Sequence, residues 1–213
     1  MIDCIDNYRD LPLGVYRDII ATNDIPDEVD RQVAVIALLT GRSQRDILNL
    51  PIADYTALAG KAAFLTSPPD KLPRVADAYR VGGFTLVPSK DLRKVTAAQY
   101  IDFQSLAPKG DAALPEILSC FLIPQGCKYG DGYDVTEVHA AVLDLPVSDV
   151  LALSAFFLKR YAGLIRATRI SLERMRKRER NPKRRAMLEA RMRELKAVTA
   201  SLTDGAGSPA WMP

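Results

Sequence analysis

The stretch DVLALSAFFLKRYAGLIRATRISLERMRKRER, residues Asp149–Arg180, decides the fold. Two series of side chains recur in it every seven residues: Val150, Phe157 and Leu164, and Ser154, Tyr161, Thr168 and Met175. This spacing predicts one helix, and 32 residues at a rise of 1.5 Å each would span about 48 Å, longer than a small domain is wide. Its first half is apolar enough to be buried and its second half is basic, so we expect an arm that projects from a body.

The end of this helix and the residues after it carry a dense run of positive charge. The run contains eight Lys and Arg within twelve residues: Arg174, Arg176, Lys177, Arg178, Arg180, Lys183, Arg184 and Arg185. Asn181-Pro182 should break or kink the helix, because proline lacks the amide hydrogen that a helix interior needs. A thin apolar stripe then resumes, with Leu188, Met192, Leu195 and Leu202. These features predict either a helical hairpin or a bent arm.

The net charge of the whole chain, +3, conceals a strong asymmetry. Residues 1–158 contain 14 Lys and Arg and 21 Asp and Glu, so their net charge is −7. Residues 159–213 contain 15 Lys and Arg and 5 Asp and Glu, so theirs is +10. An acidic body with a basic arm can meet complementary charge on a partner, or on a second copy in a head-to-tail contact that makes rings or filaments.

Helical periodicity and capping residues predict most of the body. Short amphipathic helices are expected at residues 11–22, 27–40, 43–50, 51–65, 96–106, 114–123 and 134–143. In the second of these, Val29 and Val33 are expected on the buried side, and Gly41 is a good C-terminal stop. In the sixth, Leu114–Ile123 is apolar around most of its circumference, so we expect it at the centre of the core with Cys120 on its apolar face.

One β-hairpin is expected near residues 75–87, where two β-rich runs flank Gly82-Gly83. The fold class predicted is therefore mainly α, with about eight helices, this small hairpin and a long protruding C-terminal helical hairpin or bent arm. The expected organisation is an acidic helical body at residues 1–158, a basic helical arm at 159–203 continuous with it, and a flexible tail at 204–213.

Several functional classes lack their sequence signatures. The three cysteines, Cys4, Cys120 and Cys127, contain no CxxC pair and fit reduced thiols, and a single histidine, His139, is too few for a histidine-based metal site. No stretch approaches 18 consecutive apolar residues, and the acidic N-terminus lacks the basic and apolar regions of a signal peptide. We therefore expect a soluble cytoplasmic protein with no cofactor, no metal and no membrane partner.

The loop Pro124–Asp134, PQGCKYGDGYD, is the segment most similar to a site. It matches neither a phosphate-binding loop nor an EF-hand loop. Two interpretations remain: an ordered turn whose tyrosines pin two helices, which we favour, or a hydrolase in which Cys127 is the nucleophile and His139 its base. The sequence contains no GxSxG, HExxH or GxGxxG motif to support an enzyme.

Several segments resemble a known family. They are LPLGVYRDI (11–19), VAVIALLTG (33–41), DILNLP (46–51), QYIDFQ (99–104), IPQG (123–126), KYG (128–130) and FFL (156–158). Through these segments, the chain resembles the small tail-assembly and baseplate-assembly proteins of tailed bacteriophages and prophages. The resemblance covers roughly residues 11–160. The shared segments are structural rather than catalytic, so the resemblance implies no catalytic residue. The basic arm lies outside it.

The sequence thus predicts a non-enzymatic bacteriophage tail or baseplate assembly protein, either a chaperone or a structural virion component. It would bind tail, baseplate or neighbouring virion subunits in the bacterial host cytoplasm during assembly, and could remain in the virion. The alternative is a nucleic-acid-binding accessory protein that uses the basic run 174–185 to neutralise phosphates. No aromatic residue interleaves that run, which argues against base stacking on single strands.

Overall fold

The computed structural model describes residues 2–107, 109 and 113–204, and in them the fold is mainly α-helical, as predicted. The described helices are α1 (Leu13–Ala21), α2 (Glu28–Thr40), α3 (Gln44–Leu48), α4 (Ile52–Ala62), α5 (Ala97–Leu106), α6 (Leu114–Ser119), α7 (Val135–Leu143), α8 (Val147–Arg178) and α9 (Pro182–Asp204). The strands are β1 (Tyr79–Val81), β2 (Phe84–Pro88) and β3 (Leu122–Pro124). The predicted tail, residues 204–213, lies outside the described residues apart from Asp204.

Side-chain caps define where several helices begin. The Asp27 carboxylate accepts a hydrogen bond from the Asp30 amide at 2.9 Å at the start of α2. Ser43 and Asp46 form a reciprocal capping box at α3, as do Thr96 and Gln99 at α5. Each cap satisfies amide groups that the first helical turn leaves unpaired, which is why these starts could be read from sequence.

The antiparallel sheet, in the order β1-β2-β3, contains one strand more than the predicted hairpin. The helix predicted for Leu114–Ile123 is wrong at its C-terminal end, because α6 stops at Ser119. Its last residues instead pair with β2, with Val87 opposite Ile123. Cys120 is buried, as expected, but at the C-terminal end of α6 rather than on a helix face. Pairing between segments distant in sequence therefore overrides the apolar helical pattern here.

The glycine turn between β1 and β2 packs directly on α7. Gly82 and Gly83 both have positive φ, +55° and +78°, which glycine adopts at little cost. A Cβ at Gly82 would lie 2.6 Å from Cβ of Ala141, whereas a Cβ at Gly83 would meet nothing within 4 Å. The close approach at Gly82 therefore seats the sheet against α7.

The body has two apolar clusters, and α8 begins between them. The N-terminal cluster unites α1 to α4 with Val147 and Leu151 of α8. The sheet cluster unites the three strands, α6 and α7 with Val150, Leu153 and Phe157 of the same helix. Because neighbouring positions of α8 face different clusters, its first three turns join the two halves of the body.

The N-terminal segment is hydrogen-bonded to the chain just before α8. The Leu13 amide donates to the Leu145 carbonyl, and the Val147 amide donates to the Leu11 carbonyl, both at 2.8 Å. Leu11 is fully buried between them. This backbone pairing fixes where α8 begins within the body.

One predicted core residue is on the surface. The Val29 side chain, expected on the buried side of α2, is 61% exposed, whereas Val33 is buried. Val29 lies in the first turn of α2, next to the exposed acids Glu28 and Asp30. The core begins one turn later along this helix, and Val29 faces solvent within acidic surroundings.

Candidate docking surface on the C-terminal helical hairpin

Among the side chains that the structure describes, Tyr161 is the last of α8 to pack on the body. The Tyr161 ring packs edge-on against Phe103 of α5, with 5.1 Å between the ring centroids, and its hydroxyl accepts a hydrogen bond from Gln104 at 3.4 Å. The side chains described from Gly163 to Ser171 are all exposed. The distal half of α8 therefore projects beyond the body, and Thr168, in the repeating series, faces solvent.

Helix α9 folds back along α8, so the arm is a helical hairpin rather than a bent helix. The Arg176 guanidinium donates to the Glu189 carboxylate at 3.2 Å. Residues thirteen apart in one continuous helix would be separated by about 20 Å. Leu172 and Arg176 on α8, with Leu188 and Met192 on α9, are half-buried at spacings of four residues, which is the pattern of two packed helices.

A short polar turn connects the two helices. The Asn181 side chain accepts hydrogen bonds from the amides of Lys183 at 2.9 Å and Arg184 at 3.4 Å, so Asn181 caps α9. Pro182 occupies the first helical position, where its missing amide hydrogen costs nothing. The Glu179 carboxylate accepts from the Asn181 amide at 2.9 Å. All of these bonds join residues two or three apart in sequence. The local sequence therefore specifies the turn, as the Asn181-Pro182 pair predicts.

The structure brings the eight predicted binding residues together around this turn. Seven are exposed, and we name them the basic tip: Arg174, Lys177, Arg178, Arg180, Lys183, Arg184 and Arg185. Arg176 differs, since it is half-buried and paired with Glu189. No ion pair of the seven occurs among the described residues. Their charge is therefore available to a partner.

Two exposed methionines accompany the basic tip. Met175, which belongs to a series that recurs every seven residues in α8, is 53% exposed, and Met187 is 69% exposed. Each lies within about two turns of the connection between α8 and α9. Methionine is flexible and polarisable, so it adapts to irregular apolar surfaces. Sequence reasoning missed these two, and the only signal available was their position inside the basic run.

A double-mutant cycle tests the pair that closes the hairpin. We expect Arg176→Gln and Glu189→Gln to show a coupling free energy of about 0.5–1 kcal/mol, because both side chains remain partly open to water. The measurement is urea unfolding of the wild type, both single variants and the double variant. Zero coupling would mean that this pair does not help to hold α9 on α8.

The loop 124–134 is an ordered turn, as the favoured interpretation predicts. The Tyr129 hydroxyl donates to the Asp102 carboxylate of α5 at 2.7 Å and approaches the Cys120 thiol at 3.7 Å. Positive φ at Gly126, Gly130 and Gly132 gives the loop its tight path. Tyr129 thus ties the loop to α5 and to the end of α6.

Alkaline pH should weaken this connection. Burial, followed by the hydrogen bond to Asp102, strongly raises the pKa of Tyr129, and burial also raises the pKa of Cys120 and Tyr79. An acid whose folded pKa is raised contributes stability below its unfolded pKa, about 10 for tyrosine, and that stability is lost as the pH rises toward the folded pKa. The free energy of unfolding should therefore begin to fall above about pH 9 through Cys120 and above about pH 10 through Tyr129 and Tyr79.

Tyr129→Phe should lower the free energy of unfolding at pH 7 by about 1 kcal/mol, the net value of the lost hydrogen bond. It should also flatten the alkaline decline, because one titrating group is removed. Urea unfolding at pH 7 and about pH 11 measures both. Tyr100→Phe is the control, since that exposed hydroxyl makes no hydrogen bond within the described ranges. An alkaline decline identical in Tyr129→Phe and wild type would contradict the assignment.

Cys127 and His139, the proposed nucleophile and base, contact different residues. The Cys127 thiol, half-buried, donates to the Gly132 carbonyl at 3.8 Å. The His139 imidazole lies 3.6 Å from the Glu116 carboxylate, with its Nε2 atom buried. No described hydrogen bond joins Cys127 to His139.

A cleft of about 340 Å³ lies between α1, α2 and the end of α4. Apolar side chains such as Ile20, Val35 and Leu65 line much of it, with Glu28 and Arg31 among its polar groups. None of its lining residues belongs to the basic tip. Within the described ranges, no three metal-ligating side chains cluster, and no helix has the length and apolar character to cross a membrane.

The fold and the surface together define a mainly α-helical protein that carries a projecting, positively charged helical hairpin. No family model, curated protein or solved structure matches this chain.

Proposed function

We propose that this chain is a non-enzymatic bacteriophage tail or baseplate assembly protein, a chaperone or a virion component, which docks onto an acidic protein partner through its basic tip. The observation that carries the proposal is the set of seven exposed cations at the end of a hairpin that projects from an acidic body. The resemblance of residues 11–160 supports the choice of a tail or baseplate in the host cytoplasm as the place of action.

Two features of the tip favour a protein partner over nucleic acid. Met175 and Met187 expose apolar surface among the cations, and a phosphate backbone offers little that would cover it. No aromatic residue lies within the run 174–185 to stack on unpaired bases. Charged side chains then steer the partner, and the methionines supply apolar contact.

Nucleic acid is the second candidate, and the charge density of the tip is what favours it. Seven exposed cations could each neutralise a phosphate and release counterions, so affinity would fall steeply with salt. Unlike protein docking, such binding would not depend on Met175 or Met187. Replacing both methionines with glutamine therefore separates the two candidates.

The test uses a tip-reversal variant, Arg180→Glu, Lys183→Glu and Arg184→Glu. Arg180 lies in the turn, and the other two lie in the first turn of α9, where the helix dipole favours negative charge, so folding should be preserved. A body-reversal variant with the same change of charge, Lys71→Glu, Arg74→Glu and Arg80→Glu, is the matched control on exposed body positions.

Binding to immobilised phage tails or baseplates and to a short DNA duplex is measured at about 50 and 300 mM salt. We expect wild type and the body-reversal variant to bind the tails or baseplates, and the tip-reversal variant to lose binding. Binding to DNA alone, with a steep salt dependence and no effect of the methionine substitutions, would overturn the proposal in favour of the nucleic-acid candidate.

A further inference from the structure

The body presents an acidic surface that matches the basic tip in both charge and apolar character. We name it the acidic corner: Asp24, Asp27, Glu28, Val29 and Asp30, all exposed, at the start of α2. Val29 is 61% exposed in the middle of four carboxylates, as Met175 and Met187 are exposed among the cations of the tip. Asp27 also caps α2, so the other three acids are the ones free to be tested by substitution.

A molecule cannot join its own tip to its own corner. Helix α2 belongs to the N-terminal cluster, which holds Val147 and Leu151 at the beginning of α8. From Leu151 to Arg178, the end of α8, the helix extends for about 40 Å, whereas the whole of α2 is about 20 Å long. The rigid helix therefore keeps the two surfaces apart, and any contact between them joins different copies.

We propose that the occupant of the basic tip is the acidic corner of a second copy of this chain, in a head-to-tail contact. The inference rests on the proposed docking function and names a partner for the same tip. Every copy carries one tip and one corner, so the two surfaces are always present in equal amounts. A contact between unlike surfaces leaves one of each free at the ends, and it propagates into a ring or a filament.

The test uses two variants with complementary defects. The tip-reversal variant retains its corner, and a corner-reversal variant, Asp24→Lys, Glu28→Lys and Asp30→Lys, retains its tip. By sedimentation velocity at about 50 mM salt, we expect wild type to form assemblies larger than a dimer, which dissociate at about 300 mM salt. Each variant alone should sediment as a monomer.

An equimolar mixture of the two variants should form a dimer and stop there, because one compatible tip and one compatible corner meet and no second pair remains. A single variant carrying all six reversals should stay a monomer, because its tip keeps four cations against three glutamates, a net charge of 4 − 3 = +1, and its corner keeps one acid against three lysines, a net charge of 3 − 1 = +2. If the triple corner substitution unfolds the protein, Val29→Lys at the same exposed site replaces it, since it removes no core contact.

Three exposed acids before, within and after α7 provide the matched control. Asp131→Lys, Glu137→Lys and Asp144→Lys make the same change of charge at exposed positions outside the corner, and we expect this variant to assemble as wild type does. The inference is overturned if wild type is monomeric at low salt, if the mixture stays monomeric, or if the α7 substitutions rather than the corner substitutions prevent assembly.

The outcomes for this inference and for the proposed function are distinguishable. If wild type is monomeric in solution but binds phage tails through its tip, a second copy is not the occupant of the tip. The proposed docking function is then unaffected. Wild type that assembles head to tail but binds tails equally well with and without a reversed tip contradicts the docking function.

Discussion

Gly82→Ala is expected to lower the free energy of unfolding by about 3 kcal/mol, the largest effect on stability that we predict for a single methyl group. The added Cβ would lie 2.6 Å from Cβ and 3.0 Å from Cα of Ala141, so the β1–β2 turn and α7 would have to separate. Overpacking of this kind costs about 1–3 kcal/mol, and the left-handed conformation at φ +55° adds about 1 kcal/mol for alanine. Urea unfolding followed by circular dichroism measures the loss.

Gly83→Ala separates these two contributions. Its φ is +78°, but an added Cβ there meets no atom within 4 Å, so only the conformational cost of about 1 kcal/mol should appear. Equal losses in the two variants would show that the approach of Gly82 to Ala141 does not seat the sheet on α7.

Reversing Arg180, Lys183 and Arg184 together is expected to weaken binding to the acidic partner at least about 100-fold, the largest functional effect that we predict. Like charges brought together at an interface cost several kcal/mol, and about 2.8 kcal/mol corresponds to 100-fold in Kd. Replacing the same three residues with glutamine removes the attraction without adding repulsion, so it should weaken binding by an intermediate amount. Titration calorimetry with the purified tail or baseplate partner gives the three values.

Salt dependence checks that electrostatic attraction causes this loss. Wild-type affinity should fall between about 50 and 300 mM salt, since screening shortens the range of the attraction, and the glutamine variant should respond less. The body-reversal variant should bind within about threefold of wild type, since its charges lie away from the tip. A loss of equal size in the body-reversal variant would indicate that net charge, rather than the tip, governs binding.

The parts of the fold that local chemistry determines could be predicted. The starts of α2, α3 and α5 depend on Asp27, Ser43 and Thr96, each of which caps amides within the next three residues. The break at Asn181-Pro182 is also local, because the asparagine caps the helix that the proline begins. Signals of this kind survive in any tertiary context, so the sequence alone discloses them.

The features that distant segments determine could not be predicted. Strand β3 exists because Leu122–Pro124 pairs with β2, more than thirty residues earlier, and its apolar pattern resembles that of a buried helix. The backbone bonds that join Leu11 to Val147 have no sequence signature at all. Val29 has the periodicity of a buried residue, but no element in the described part of the chain covers it, and its side chain is 61% exposed.

The candidate site likewise has features that the sequence predicts and features that it does not. Charge density and a break in the helix were enough to predict an exposed basic segment, and seven of its eight cations are exposed. Arg176 was indistinguishable from its neighbours, because its ion pair depends on Glu189 and on the return of α9. The hydrogen bond between Tyr129 and Asp102 joins residues 27 apart in sequence, so it too could not be predicted from the sequence.

Particle assembly in a host that supplies only a variant of this protein tests the central claim most directly. We expect the body-reversal variant to support tailed particles, counted by electron microscopy, at the wild-type yield. The tip-reversal variant, expressed and folded to the same level, should leave heads without complete tails. A full yield of tailed particles from the tip-reversal variant would contradict the claim that the basic tip docks this protein during assembly.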